Sequence, residues 1–128
     1  MEYTEAYRKL QTGVCVVTFI KKDATVRNML ATRNKRIVSN FSKIDDSSFS
    51  GHDRRCSIEN GNIAVYDLII DEVRMFNIGR VVGFHEFGDI TTQEEMDNAV
   101  EQFKNFDTKY RENNPMELHL DMKIGGIE

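Results

Sequence analysis

Between Leu10 and Thr32 the chain reads LQTGVCVVTFIKKDATVRNMLAT, two apolar, β-branched runs around a polar turn at Lys21–Thr25. That pattern predicts a β-hairpin. In Gly13–Ile20, Val14, Val16, Thr18 and Ile20 fall on one face and Cys15, Val17 and Phe19 on the other. Both faces are largely apolar, so both need cover. A two-residue turn would favour Asp-Gly, because a central residue takes positive φ. Ala24 resists that, which predicts a slightly longer turn. A second pair follows at Asn62–Ile70 and Val73–Ile78, with Asp71-Glu72 as its turn. Ala64, Tyr66, Leu68 and Ile70 face one way; Ile63, Val65, Asp67 and Ile69 face the other. Gly79–Phe84 reads as a turn and a short closing strand, its glycines permitting the bend that a small barrel needs. The expected core is Val16, Phe19, Val65, Leu68 and Phe76.

Two helical patterns flank this β-rich middle. In Met1–Gln11, Tyr3, Ala6, Tyr7 and Leu10 recur at three and four residues and predict a short helix. Near the other end, Thr91 with Glu94 and Thr92 with Glu95 offer overlapping capping boxes. Met96, Ala99, Val100, Phe103, Phe106 and Tyr110 then line one side of an amphipathic helix of about 20 residues, which Asn113-Asn114-Pro115 ends. Met96, Val100, Phe103 and Tyr110 are its expected packing or partner face. MELHLDMKI, at 116–124, alternates strictly and predicts a final strand that adds to a sheet edge. Residues 33–61 form the least regular stretch and are expected to be a long loop, functional or mobile. The domain reading is therefore a barrel over 1–90, carrying the first helix and the 33–61 loop, with a helix and strand appended over 91–128.

Composition narrows the role. Apolar content of 40% and charged content of 30% suit a globular domain. The net charge of −4 argues against a protein that coats nucleic acid. The acidity belongs to residues 91–128, with nine acidic and four basic side chains, while 1–90 is near neutral. No apolar run reaches the length of a membrane span, and MEYTEAYRKL does not read as a signal peptide. A cytoplasmic location is expected. Cys15 and Cys56 read as free thiols in a reducing compartment.

No catalytic set stands out. His52, His85 and His119 are scattered; a metal site from His85 and Glu86 would need a distant partner, and single histidines beside acidic residues are common on surfaces. Gly51-His52-Asp53 with Cys56 invites a Cys–His nucleophile reading, but nothing in the sequence fixes its geometry. Asp45-Asp46 lacks the other oxygens of a calcium loop, and no helix follows Gly125-Gly126 to make a phosphate site. Neither cofactor nor metal is expected. A basic cluster at Arg33, Lys35, Arg36, Arg54 and Arg55 marks the two ends of the 33–61 segment and is the candidate site for a protein or nucleic-acid partner. Only Phe41 and Phe49 lie near it, and the chain has no Trp to serve as a stacking platform. Strand edges and an apolar-faced helix suit protein recognition better.

The paired segments TGVCVVTFIKKDATVRNMLAT and NIAVYDLIIDEVRMFNIGRVVGF resemble a tailed-phage family of small SH3-like or Sm-like barrel proteins, the second WYL-type family. The resemblance spans roughly residues 9–84 without the central segment. It rests on the Thr12-Gly13 start, the Lys22-Asp23 turn, the Tyr66-Asp67 pair and Arg74–Phe76, with Ala24 standing where Gly is usual. It implies a viral accessory protein and a small barrel, and brings no catalytic residues. The expectation is a mainly β (α+β overall) fold: an SH3-like β-barrel with a long C-terminal amphipathic helix and a final strand. The expected role is a non-enzymatic phage protein that binds another protein, such as a host factor it modulates in the host cytoplasm. A nucleic-acid-binding barrel using the 33–55 stretch is the alternative, and a virion component a weaker one. A homodimer through the C-terminal helix or strand fits the same pattern.

Overall fold

The computed structural model describes residues 1–44 and 47–114. The order is α1 (Tyr3–Thr12), β1 (Val14–Ile20), β2 (Val26–Thr32), α2 (Lys35–Phe41), α3 (Ser47–Asp53), β3 (Asn62–Asp67), β4 (Glu72–Asn77), a 3-10 turn at Ile78–Arg80, β5 (Val81–Gly88) and α4 (Gln93–Asn113). The strands form one antiparallel sheet in the order β4-β3-β2-β1-β5. Among the described residues the sheet is open, with β4 and β5 at its edges. The expected final strand, 116–124, lies outside the described residues.

Both hairpins form where the apolar runs predict them. β1 and β2 pair from Val14↔Thr32 to Ile20↔Val26, and β3 and β4 from Asn62↔Asn77 to Asp67↔Glu72. The first turn is longer than two residues: Lys21 N–H donates to the Thr25 carbonyl and Ala24 N–H to that of Lys21. Ala24 nonetheless takes φ 70°, the left-handed conformation that a side chain disfavours. β3 is shorter than the apolar run Asn62–Ile70. The carboxylate of Asp67 accepts the amides of Ile69 and Ile70 at 2.9 and 3.3 Å. This Asx-type turn ends the strand and leaves both isoleucines exposed. The two hairpins share only a short ladder, Ala31↔Asp67 and Thr32↔Tyr66.

Cover on both faces comes from helices. α1 lays Ala6 and Leu10 on the side of Cys15, Val17, Phe19, Met29, Ile63, Val65 and Phe76. α4 lays Met96, Ala99 and Phe103 on the opposite side, over Val14, Val16 and Leu30, where Ile37 of α2 joins them. Each such large side chain, taken from water, contributes about 1.5–3 kcal/mol. Of the expected core, Val16, Phe19, Val65 and Phe76 are buried, and Leu68 is partly buried against the α4 side. α4 starts at Thr92, whose hydroxyl accepts from Glu95 N–H while Glu95 reaches back to the Thr92 amide. Of the two capping boxes anticipated, Thr92 with Glu95 is the one formed.

Gly13 is fixed by close approach. A Cβ there would lie 2.2 Å from the carbonyl oxygen of Gly88, so only glycine lets β5 start its pairing with β1 at Val14↔Gly88. Thr32, fully buried, donates its hydroxyl to the Gly13 carbonyl at 2.8 Å and fastens the same junction.

The 33–61 segment departs from the expected loop by containing two seven-residue helices. Asn34 caps α2, its side chain accepting from Ile37 N–H at 3.0 Å. The buried pair Ile37 and Val38 holds that helix to the body. Helices this short carry too few apolar positions to show a period.

Candidate binding cleft

The five basic residues marked by the sequence do not form one free patch. Arg33 is nearly buried, its side chain 11% exposed, and it pairs with Asp53 at 3.1 Å. It also donates to the Ala64 carbonyl at 2.5 Å and sits 4.6 and 5.3 Å from the ring centres of Tyr7 and Phe49. The two ends of the segment do meet, as pairing of the flanking strands requires, but they meet through this ion pair. Arg36 binds Asp89 and the Ile90 carbonyl, which ties α2 to the start of α4. Lys35, Arg54 and Arg55 are exposed. The α4 residues are engaged with the sheet: Met96 and Phe103 are buried, while Val100 is partly buried among the same neighbours. Tyr110 is half-buried and lies beside Phe106, their rings 6.1 Å apart.

A different cationic site lies at the far end of the sheet. Phe19, Ile20, Lys21, Lys22, Arg27 and Met29 of the first hairpin, with Asn62 and Arg74–Asn77 of the second and Arg80 of the 3-10 turn, line a cleft of about 510 Å³. Among the described residues its lining holds five cationic side chains and no carboxylate. The floor is apolar, with Phe19 and Phe76 in tilted ring contact at 5.8 Å. Two segments about fifty residues apart converge here, the Lys22-Asp23 turn and Arg74–Phe76.

The neighbouring carboxylates leave this charge partly uncompensated. Lys21 reaches Asp23 at 3.9 Å, Arg27 reaches Asp67 at 3.3 Å, and Arg74 reaches Glu72 at 3.0 Å. Arg80 donates to the Lys21 carbonyl at 3.0 Å, which holds the 3-10 turn to the first hairpin. Among the described residues, neither Arg80 nor Lys22 pairs with a carboxylate. The Lys21–Asp23 and Arg74–Glu72 pairs are solvent-exposed and worth only about 0–1 kcal/mol each. An arriving anion can therefore replace those carboxylates at little cost.

Asp67 and Tyr66 have structural tasks. Asp67 is 2% exposed and holds both its own turn and Arg27. The Tyr66 hydroxyl donates to Asp71, which also accepts from Ser42. Burial, reinforced by that carboxylate, pushes the Tyr66 hydroxyl up to about 12, and the same hydrogen bond holds the Asp71 carboxyl below its ordinary range.

The remaining chemistry-bearing groups do not assemble. Cys56 directs its thiol at the His52 carbonyl, 3.2 Å away, and not at the imidazole. Burial and then Asp53 raise its pKa, the reverse of what activates a cysteine. Cys15 is enclosed in β1, and burial pushes its thiol up to about 12. Among the described residues no group of three His, Cys, Asp or Glu side chains is placed to hold a metal. No described helix is long and apolar enough to cross a membrane. Comparison of the chain with protein-family models, curated proteins and solved structures finds no match.

Sequence reasoning passed over the cleft because its cations are spread from Lys21 to Arg80, singly or in a pair. The signal that could have found them is the hairpin prediction itself. Paired hairpins bring their ends together, so a Lys-Lys turn and an Arg on the strand before the 3-10 turn become neighbours.

Proposed function

We propose that this chain is a non-enzymatic accessory protein that binds another protein, and that its cationic cleft takes an acidic segment of that partner. The observation that carries the reading is five cationic side chains around one cleft whose lining, among the described residues, contains no carboxylate. The two hairpin motifs that resemble the tailed-phage family contribute residues to this cleft, which supports a viral role directed at a host protein. We read the five-stranded sheet as a small barrel of that kind left open between β4 and β5.

A nucleic acid is the competing anion. Single-strand sites combine cations with exposed aromatic faces on which bases stack. Here Phe19 and Phe76 are 8% and 3% exposed, so the floor offers no stacking platform to a base. The acidic 91–128 region also repels a long polyanion more than a compact acidic segment.

Affinity capture with and without nuclease tests the proposal. A partner retained after nuclease treatment, and lost with Lys22→Ala plus Arg74→Ala, is the expected outcome. Retention that depends on intact nucleic acid would replace the protein reading with the nucleic-acid one.

A further inference from the structure

The cleft follows the edge of a strand. Arg74, Met75, Phe76 and Asn77 all line it, and consecutive residues of a strand point to opposite faces. A cavity touching four in succession, together with Asn62 of β3 and residues of the first hairpin, takes in the edge of the strand as well as the face that carries Phe76. Among the described residues β4 is also an outer strand of the sheet, paired on one side with β3. The Ile78 amide donates to the Gly61 carbonyl. The antiparallel alternation that starts there turns the amides of Val73, Met75 and Asn77 away from β3. The register of β4 contains no bulge, and its sequence, EVRMFN, contains no proline. It therefore lacks two of the devices that stop an edge from pairing.

We propose that the partner's acidic segment binds in extended form, adding a strand to the outer edge of β4. In this mode main-chain hydrogen bonds to the Val73, Met75 and Asn77 positions supply affinity, and alternate side chains supply selectivity. Acidic side chains on one side of the added strand meet Lys22, Arg74 and Arg80. Small apolar ones on the other side meet Val73 and Met75, which lie on the face of β4 opposite Arg74 and Phe76. The inference rests on the protein-binding reading above and adds the conformation and pattern of the ligand.

The probe is a capped peptide alternating Glu and Val, titrated into the full chain by fluorescence anisotropy and followed by amide hydrogen exchange. Binding should slow exchange at Val73, Met75 and Asn77, and N-methylation of alternate peptide amides should abolish it. Lys22→Glu with Arg74→Glu, both exposed positions, should weaken binding about tenfold or more by placing like charges together. Binding without protection of those three amides, or equal binding of the N-methylated peptide, overturns strand addition and leaves the protein-binding reading standing. Oligothymidylate that binds more tightly than the peptide and displaces it overturns both. No binding at millimolar peptide overturns the strand-addition proposal, while a nuclease-resistant partner captured in the same preparation would preserve the wider reading.

Discussion

Arg33 and Arg74 carry the same guanidinium on opposite terms. Arg33 follows β2 and sits between Tyr7 and Phe49, with Asp53 and the Ala64 carbonyl on its fork. Its side chain is 11% exposed, against 45% for Arg74. Its planar charge joins α1, α3 and β3, a task that a flexible ammonium would do poorly. Arg74 lies on an edge strand beside a cleft, and Glu72, its one carboxylate partner among the described residues, is itself exposed. Clustering in sequence marked the first and passed over the second. Availability of a charge is decided by what the fold has already placed against it.

The comparison is broken most forcefully by removing the floor beneath the cleft. Phe19→Ala should cost about 3–5 kcal/mol, because Phe19 belongs to the α1-side core as well as the cleft. Denaturant melts would register this as a lower midpoint. Arg33→Ala should cost about 2 kcal/mol, since it leaves the Ala64 carbonyl without its partner and the half-exposed Asp53 without its ion pair. The fraction that remains folded should still bind the acidic peptide with unchanged affinity. Ala24→Gly should stabilise by about 1 kcal/mol, by relieving a positive φ in the turn that carries Lys22. Arg74→Ala should shift stability by no more than about 0.5 kcal/mol, as at other exposed positions. If Arg74→Ala instead destabilises as much as Arg33→Ala, the contrast between the two arginines disappears.

Alkaline titration gives a smaller, local check. The Tyr66 hydroxyl is raised from 10.0 to about 12. Below pH 10 its contribution to stability is fully present. It is lost as pH rises from 10 towards 12, where the unfolded chain gives up a proton that the folded chain keeps. Tyr66→Phe should flatten that part of the stability profile.

The hairpins were legible because their apolar runs are long and the sheet is covered on both faces, which keeps every residue of β1 but Thr18 apolar. α4 was legible for a related reason: its apolar stripe repeats across a whole helix and its N-cap chemistry is specific. Short elements escaped. α2 and α3 have seven residues each, and the strand signal at Ile69-Ile70 was overridden by Asp67, whose carboxylate captured their amides. Ala24 shows a local preference yielding to its context: the register of β1 with β2 sets its φ, and the side chain tolerates it. The cleft was hidden for a topological reason, since its cations become neighbours only after β3 and β4 fold beside the first hairpin.

Parallel titration of two double variants with the Glu/Val peptide tests the central claim most directly. Lys22→Ala with Arg74→Ala removes cations of the cleft, and Arg54→Ala with Arg55→Ala removes exposed cations near the end of the 33–61 segment. Thermal midpoints of both should stay near that of the parent chain. The first variant should lose about tenfold or more in affinity and become less sensitive to salt, while the second binds as the parent does. Undiminished binding by the cleft variant, with loss in the Arg54 and Arg55 variant, would contradict the account and return the site to the 33–55 stretch.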